Sequence, residues 1–251
     1  MQRFRDKIVI VTGGGGGIGS AIARRLSSEG GTVVVTDSNG ESANVVADDI
    51  LASGGRAMAL QADIAMASEC RRLVGDVLAR HNRIDILVNN AGLMRRGNIM
   101  AISEDDWEIT MAVNITAMFH LCRAVIPGMI TQGGGAIVNT ASQWGLHPAP
   151  NHIAYNVSKA AVASFTQNLG RDYAPHKIRV NGVCPGEVHT PMLEAGVKRA
   201  GRTMADLDGL VPFGRVGKPE EIAALVAFLA SDEAPYMCGS LVEITGAQAV
   251  A

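Results

Sequence analysis

Tyr155 and Lys159 stand four residues apart in the segment Tyr155-Asn156-Val157-Ser158-Lys159. Residues at this spacing share one face of a helix, so the phenol and the ammonium would project into the same space. A free phenol, with a pKa of about 10, is a weak base at neutral pH, but a nearby positive charge would lower that pKa. Such a pair could take a proton from an alcohol or return one to a carbonyl. The spacing also arises by chance on helices, so the prediction needs further residues.

Two polar residues upstream could complete such a site. Ser142 directly follows an apolar run, and its hydroxyl could donate to a substrate oxygen; a turn-forming serine is the structural alternative. Asn114 lies inside a long helical segment, where asparagine is disfavoured. This position indicates a local contact with backbone or water, and a purely structural role for Asn114 stays open.

The elements that would position these residues follow from the alternation of short apolar runs with longer amphipathic segments. This alternation predicts an α/β fold with a doubly wound parallel sheet, covered by helices on both faces. Such sheets bind ligands at the carboxyl ends of their strands, where the motifs of this chain lie. The predicted strands are Ile8–Thr12, Thr32–Thr36, Ala57–Gln61, Ile84–Asn89, Ala136–Thr140, Ile178–Cys184 and Leu241–Ile244. The longer predicted helices are Ser68–Arg80, Glu104–Ile130, Ile153–Tyr173 and Pro219–Ala230.

A glycine-rich loop, Thr12–Gly19, joins the first predicted strand to a helix. Glycines at positions such as Gly13, Gly17 and Gly19 permit a tight turn, close approach of backbone to a pyrophosphate, and close packing of helix on strand. The start of the helix, around Ile18, would present unpaired N–H groups to the phosphates. The order of strand, loop and helix favours a dinucleotide site over a flexible connector.

Asp37 follows the second predicted strand, at about the distance from the glycine loop where an acid can accept hydrogen bonds from the adenosine ribose. The same carboxylate would repel a 2′-phosphate, and neither Ser38 nor Asn39 is basic. NAD is therefore the predicted cofactor, in preference to NADP. A helix-capping or turn-forming aspartate is the structural alternative.

Composition narrows the class of protein. The chain of 251 residues, 47% hydrophobic and 18% charged, suits a single folded domain over residues 1–251. A formal net charge of −2 offers no basic field for nucleic acid, so a small molecule is the expected partner. Scattered cysteines without a C-x-x-C pair predict neither disulfides nor a metal site. With no signal-like N-terminus and no apolar run of about 18 residues, we expect a cytoplasmic protein with no membrane partner.

Together these motifs closely resemble the short-chain dehydrogenase/reductase family over almost the whole chain. The resemblance is carried by Thr12–Gly19, Asn89–Gly92, Asn114, Ser142, Tyr155–Lys159, Arg179–Asn181, Pro185 and Gly186. It implies a single-domain Rossmann fold with a seven-stranded parallel sheet. It also implies a homotetramer that pairs through the segments Glu104–Ile130 and Ile153–Tyr173.

The resemblance further implies roles for individual residues. The catalytic tetrad would be Asn114, Ser142, Tyr155 and Lys159, with Lys159 also holding the nicotinamide ribose and Asn114 positioning a water. The remaining cofactor contacts would be Asp63 and Ile64 at the adenine, Asn90 and Gly92 along the cofactor, and Pro185, Gly186, Val188 and Thr190 near the nicotinamide. One departure is Thr245-Gly246-Ala247, where the family often has Asp-Gly-Gly at a subunit interface.

The substrate would lie beside the tetrad, against Met94, Arg95, Gln143, Trp144, His147, His152, Glu187 and His189. Buried polar groups need partners, so this polar set favours a sugar, a polyol or a small hydroxy acid. Arg95 could equally be a solvated loop residue, and the histidines could simply cap turns. Residues 190–213, with weak periodicity, could form a lid over the substrate or merely pack on the core.

The sequence thus predicts an NAD-dependent oxidoreductase that interconverts a secondary alcohol and a ketone. One alternative is a reductase of 3-oxoacyl thioesters or cyclic ketones, and another is a non-catalytic dinucleotide-binding sensor. The missing basic residue after Asp37 argues against an NADPH-using reductase. A sensor would not need Tyr155 and Lys159 behind Ser142.

Overall fold

Seven parallel strands form the centre of the computed structural model, which describes residues 2–199 and 201–248. Across the sheet the order is β3-β2-β1-β4-β5-β6-β7, so the chain winds outward from β1, returns beside it, and continues in the other direction. The predicted doubly wound sheet is confirmed, and every predicted strand is present close to its predicted bounds. The strands are β1 (Ile8–Thr12), β2 (Thr32–Asp37), β3 (Arg56–Gln61), β4 (Ile86–Asn89), β5 (Gly135–Thr140), β6 (Ile178–Pro185) and β7 (Leu241–Ile244).

Helices cover both faces of this sheet. Their ends follow local sequence signals: the Asn39 side chain accepts a hydrogen bond from the Ser42 N–H, and Thr203 forms a capping box with Asp206. The predicted helices at Ile153–Tyr173 and Pro219–Ala230 have the predicted bounds. The helices are α1 (Gly17–Ser28), α2 (Gly40–Ala52), α3 (Ala67–His81), α4 (Glu104–Met111), α5 (Ala117–Thr131), α6 (Gln143–Leu146), α7 (Ile153–Tyr173), α8 (Pro191–Arg199), α9 (Met204–Asp208) and α10 (Pro219–Ala230).

Alternate strand residues enter two separate cores. In β1, Val9 and Val11 pack in one core with α1, α2 and α10, whereas Ile8 and Ile10 pack in the other with α3, α5 and α7. Successive side chains of a strand point to opposite faces, so a strand buried on both faces must be apolar throughout. This requirement explains why the strands read as continuous apolar runs.

The predicted helix Glu104–Ile130 is interrupted. Between α4 and α5, residues Ala112–Thr116 form a π-helical turn that contains Asn114. Such turns insert an extra residue into a helix and often accompany functional sites. The prediction of one uninterrupted helix was therefore wrong, and the disfavoured asparagine marks the interruption.

The combined helical stretch Glu104–Thr131 contains no unbroken run of about 18 apolar residues, in line with the sequence. By length and composition alone, however, this stretch is apolar enough to cross a membrane, with a mean hydropathy of 1.5. Its apolar residues, including Leu121 and Val125, lie in the core beneath the sheet. Helices in the cores of soluble proteins often have the same length and composition, so these two properties are weak evidence for a membrane span.

Arg179 ties the last part of the chain to the sheet. From β6 its guanidinium donates to the backbone carbonyls of Leu229, Ala230, Ser231 and Ala234, at 2.7 to 3.2 Å. The carbonyls of Leu229 and Ala230 belong to the last turn of α10 and lack helical partners, so a partly buried cation there satisfies them and the helix dipole together. The Arg179–Asn181 motif is thus explained by folding.

Candidate active site

A cleft of about 410 Å³ opens at the carboxyl ends of the central strands. The glycine loop forms one end, and Tyr155 and Lys159 lie in the same cavity. The position matches the expected ligand site of a doubly wound sheet. The lining consists of Gly13, Gly16–Ile18, Asp37, Asn90–Gly92, Met94, Thr140–Trp144, Tyr155, Lys159, Pro185–Val188 and Thr190–Leu193.

Lys159 is buried at the cleft, with 3% of its surface exposed. Its Nζ donates to the Thr140 backbone carbonyl at 2.7 Å and lies 5.7 Å from the Tyr155 ring centroid. Burial lowers the pKa of the ammonium to about 8. Both side chains project from α7 into one cavity, as their spacing predicted.

The pKa of Tyr155 does not follow the sequence-based expectation. Burial raises it above its ordinary value, the negative charge of Glu187 acts in the same direction, and the Ser142 side chain opposes both. The expectation that Lys159 would lower this pKa is therefore wrong for the protein alone. A phenol that holds its proton more tightly is a proton donor, which suits protonation of a carbonyl oxygen.

Ser142 lies at the end of β5, where it caps the short helix α6. Its Oγ accepts from the Trp144 N–H at 3.1 Å. The hydroxyl proton is not used in that bond and can be donated into the cleft. The turn-forming and substrate-donating interpretations of Ser142 are thus compatible.

Asn114 is buried and does not line the cleft directly. Its Oδ1 accepts from the Leu93 N–H, and its Nδ2 donates to the Leu93 carbonyl and to Ser158 Oγ, each at 2.9 Å. A Cβ added to Gly92 would lie 3.4 Å from both Asn114 Oδ1 and Lys159 Nζ, so these two atoms flank one small space. The predicted backbone contact is present and joins the loop after β4 to α7.

The glycine loop is shaped for close approach. A Cβ on Gly13 would lie 2.8 Å from the Ala91 Cα, and one on Gly19 would lie 2.0 Å from the Gly13 carbonyl oxygen. Gly19 therefore allows α1 to lie directly against the loop backbone, whereas Gly16 is open and Gly17 meets only Thr190 at 3.4 Å. The N-terminus of α1 has no side-chain cap and faces the cleft. This arrangement can hold a phosphate.

Asp37 ends β2 at the rim of the cleft. Its Oδ2 accepts from the Gly15 N–H at 3.1 Å and its Oδ1 from the Asn39 N–H at 3.0 Å. The carboxylate is thus held by backbone beside the glycine loop, with lone pairs left for ligand hydroxyls. Asn39 and not Asp37 caps α2, so the helix-capping alternative is wrong, whereas the bond to the Asn39 N–H is that of a turn-forming aspartate.

Asn90 fixes the glycine loop to the next strand. Its Nδ2 donates to the carbonyls of Thr12 and Gly13, while Thr12 Oγ1 accepts from the N–H groups of Asn90 and Ala91. Asn90 and Gly92 both line the cleft, as do Pro185, Gly186, Val188 and Thr190. Thr190 also accepts from the Leu193 N–H and so starts α8.

The structure does not bring every predicted residue to the cleft. Ile64 is buried in the core, and Asp63 is exposed in a turn, accepting from the Ala65 N–H. Arg95 pairs with Asp106 at 3.0 Å on the surface. His147 is exposed near Glu243.

His152 and the lid residues occupy intermediate positions. His152 bonds the Pro150 carbonyl and packs on the Trp144 ring, with centroids 4.7 Å apart, so it supports the wall. Within residues 190–213, Val197, Leu207 and Val211 form a small separate core with Val216. The exposed side chain of His189 pairs with Glu194.

Some residues at the cleft were missed by sequence reasoning. The Thr140 carbonyl holds Lys159, but a backbone acceptor leaves no signal in residue types. Met192 and Leu193 line the cleft from α8, where they read as ordinary apolar residues of a lid. Gln248 bonds Gln143 across more than one hundred residues of sequence, a contact that only folding creates.

Comparison with known proteins agrees with this geometry. The sequence profile described as short chain dehydrogenase matches residues 7–201. Cyclopentanol dehydrogenase of Comamonas sp. is 37% identical, with 98% of each chain covered. The 3-oxoacyl-(acyl-carrier-protein) reductase of Thermotoga maritima is 34% identical, covering 97% of this chain and 98% of its own.

A solved structure extends the likeness to three dimensions. L-Sorbose reductase from Gluconobacter frateurii, complexed with NADPH and L-sorbose, has a TM-score of 0.94 at 30% identity. The alignment covers 99% of this chain and 98% of that chain. All three names describe dehydrogenases or reductases.

Proposed function

This chain belongs to the short-chain dehydrogenase family, and from that premise we propose that it is an NAD-dependent oxidoreductase interconverting a secondary alcohol and a ketone on small polar substrates. The observation that carries the proposal is one cleft that contains the glycine loop, the half-buried Tyr155 and the buried Lys159. Dinucleotide binding and proton transfer thus share a cavity.

The residues present fit a nicotinamide dinucleotide. The glycine loop leaves Gly16 and Gly17 open to the cleft, and the uncapped start of α1 would hold the pyrophosphate. When bound, the nicotinamide would supply or accept the hydride. Lys159 would hold the adjoining ribose, and Asp37 would accept from the adenosine ribose hydroxyls.

NAD is preferred on the charge and position of Asp37. Its carboxylate is fixed by two backbone N–H groups at the cleft rim, where a 2′-phosphate would meet like charge. One relative was solved with NADPH, so membership of the family does not decide the cofactor. The local carboxylate supports NAD.

Proton transfer is assigned to Tyr155. Its phenol would give a proton to the carbonyl oxygen in reduction and take one from the hydroxyl in oxidation. Ser142 would orient that oxygen through its free hydroxyl proton. Lys159 supplies positive charge beside the phenol, and Asn114 holds the loop that closes this side of the cleft.

A cyclic alcohol or ketone is the second candidate substrate. Met94, Met192 and Leu193 give the cleft an apolar wall, which suits a hydrocarbon ring. The 37% identity to a cyclopentanol dehydrogenase supports the same substrate class. Gln143 and Glu187 favour additional polar groups on the substrate.

A cytoplasmic homotetramer is also part of the proposal. Phe119 and Ile130 on α5 and Val157 on α7 are exposed apolar side chains on the helices expected to pair. Light scattering of the purified protein tests this assembly, and a monomeric mass would refute it.

The deciding experiment is Tyr155→Phe, with Tyr173→Phe on the far part of α7 as the matched control. We expect Tyr155→Phe to keep NAD binding, measured by titration calorimetry, and to lose turnover by at least about a hundredfold because proton transfer is removed. Tyr173→Phe should keep both. Normal turnover in Tyr155→Phe would refute the proposed mechanism.

A further inference from the structure

The side of the cleft formed by the ends of β5 and β6 contains acceptor atoms that receive no hydrogen bond from the described residues. Gln143 is 2% exposed, and its Oε1 has no hydrogen-bond partner among residues 2–199 and 201–248. A buried acceptor left unpaired is costly, so native structures nearly always satisfy such an atom. Because Gln143 lines the cleft, a bound molecule can supply the missing donor.

The orientation of the Gln143 amide follows from its neighbours. Its Nε2 donates to Gln248 Oε1 at 3.0 Å, and the same oxygen accepts from the Glu187 backbone N–H at 3.4 Å. A backbone N–H can only donate, so the Gln248 atom between them must be oxygen. Gln143 therefore turns its nitrogen towards Gln248 and keeps its oxygen as the free acceptor.

Glu187 adds a second acceptor beside the first. It lines the cleft, and in the described part of the chain its hydrogen bonds come from its backbone groups and not from its carboxylate. A Cβ on the preceding residue, Gly186, would lie 3.2 Å from Gln143 Oε1, which places the two residues side by side. The carboxylate acts electrostatically on Tyr155, so it belongs to the surroundings of the reacting group.

Two cationic side chains, Arg96 and Lys159, lie near Gln143 and Glu187, and neither is available to pair with a substrate carboxylate. Burial raises the pKa of the Glu187 carboxyl, and Arg96 opposes this shift from an exposed loop. Arg96 does not line the cleft, and its guanidinium lies beside Gly196 of α8. Lys159 is bonded to Thr140. The polar wall therefore offers acceptors and negative charge to a substrate.

We propose that Gln143 and Glu187 select alcohols that carry at least one further hydroxyl, and that they exclude hydroxy acids. A second hydroxyl donates to these acceptors, whereas a substrate carboxylate has no proton to donate and meets the charge of Glu187. This inference rests on the proposed function and narrows its substrate class from sugars, polyols and hydroxy acids to the first two.

The test compares substrates that share one ring: cyclopentanol, its vicinal diols in both configurations and the matching ring hydroxy acid. Initial rates with NAD give kcat and KM for each. We expect at least one diol to exceed cyclopentanol by about tenfold or more in kcat/KM, chiefly through KM, with the hydroxy acid lowest.

Three variants assign the effect to residues. Gln143→Met keeps the side-chain length without the amide acceptor and should reduce the preference for diol over cyclopentanol by about tenfold. Glu187→Gln removes the charge and should raise the ratio of hydroxy acid to diol by a similar factor. Glu108→Gln makes the same chemical change on the exposed face of α4 and should leave both ratios unaltered.

A direct binding measurement separates recognition from chemistry. The diol should raise the melting temperature of the NAD-loaded protein, and Gln143→Met should reduce that shift while its NAD affinity and circular dichroism stay normal. Loss of NAD affinity together with the preference would show a structural role and overturn the assignment to Gln143.

Other results would overturn the proposal while leaving the proposed function intact. They are equal use of cyclopentanol and the diols, or preference for the hydroxy acid, especially if Arg96→Met removes that preference. Silence of the wild-type protein on every alcohol with either cofactor would instead refute the proposed function itself.

Discussion

Replacing Lys159 with methionine would remove a buried ammonium that has no carboxylate partner in the described part of the chain. The lysine is 3% exposed and makes one hydrogen bond, to the Thr140 carbonyl. Burial lowers its pKa from 10.5 to about 8. The folded protein therefore binds this proton more weakly than the unfolded chain does, and the charged form opposes folding.

The size of this opposition follows from the shift. A change from 10.5 to about 8, at about 1.4 kcal/mol per pKa unit, corresponds to roughly 3 kcal/mol at neutral pH. Because the folded pKa is lowered, the penalty is complete below about 8 and disappears as the pH rises to 10.5. The loss of the bond to Thr140 in the variant costs about 1–3 kcal/mol and partly offsets the gain.

The assay is urea unfolding of the wild type and Lys159→Met between pH 7 and pH 10, at one protein concentration, followed by circular dichroism. We expect the free energy of unfolding of the wild type, relative to the variant, to rise by roughly 2–3 kcal/mol over this range. Lys198→Met, which removes an exposed ammonium, should show no such trend. A pH-independent difference for Lys159→Met would refute the claim that this lysine is held desolvated.

Three further predictions concern the cofactor site and the fold. Asp37→Asn should weaken NAD binding by about tenfold or more, because a charged acceptor is lost, and should raise the affinity for NADP relative to NAD, both measured by calorimetry. An unchanged ratio of the two affinities would show that Asp37 does not determine the choice of cofactor. Gly19→Ala should lower the free energy of unfolding by about 1–3 kcal/mol, since its Cβ would lie 2.0 Å from a carbonyl oxygen. Gly75→Ala, in open space on α3, should raise the free energy of unfolding slightly. Similar melting temperatures of the two variants would contradict this prediction. Ala247→Gly should stabilise by about 1 kcal/mol because Ala247 has a φ of +60°, and a lower melting temperature would show that the alanine methyl group contributes packing.

Much of the fold was legible because it depends on local patterns. Strands buried on both faces must be apolar throughout, and β1 and β2 therefore stand out in the sequence. The glycine loop was equally legible, since only glycine tolerates the approach of Gly13 and Gly19 to neighbouring backbone. Asn114 was recognised because asparagine is a poor helix former, although the π-helical turn around it was not predicted.

The spacing of Tyr155 and Lys159 on one helix placed both side chains at the cleft, because a helix has a fixed period. Their protonation was not determined in the same way. The pKa of each depends on burial by residues distant in sequence, and burial moved that of Tyr155 opposite to the expected direction. Desolvation belongs to the assembled cleft and has no signature in residue types.

The substrate side shows the same division. The sequence predicted Arg95, His147 and Glu187 equally as substrate contacts. In the structure Arg95 pairs with Asp106, His147 is exposed, and Glu187 lines the cleft. The sequence alone determined that this chain forms a doubly wound sheet with a dinucleotide loop, since both follow from residue size, polarity and period. The tertiary structure decided which polar groups at that sheet edge lack partners, because a side chain is satisfied or left free only by atoms brought to it from elsewhere in the chain.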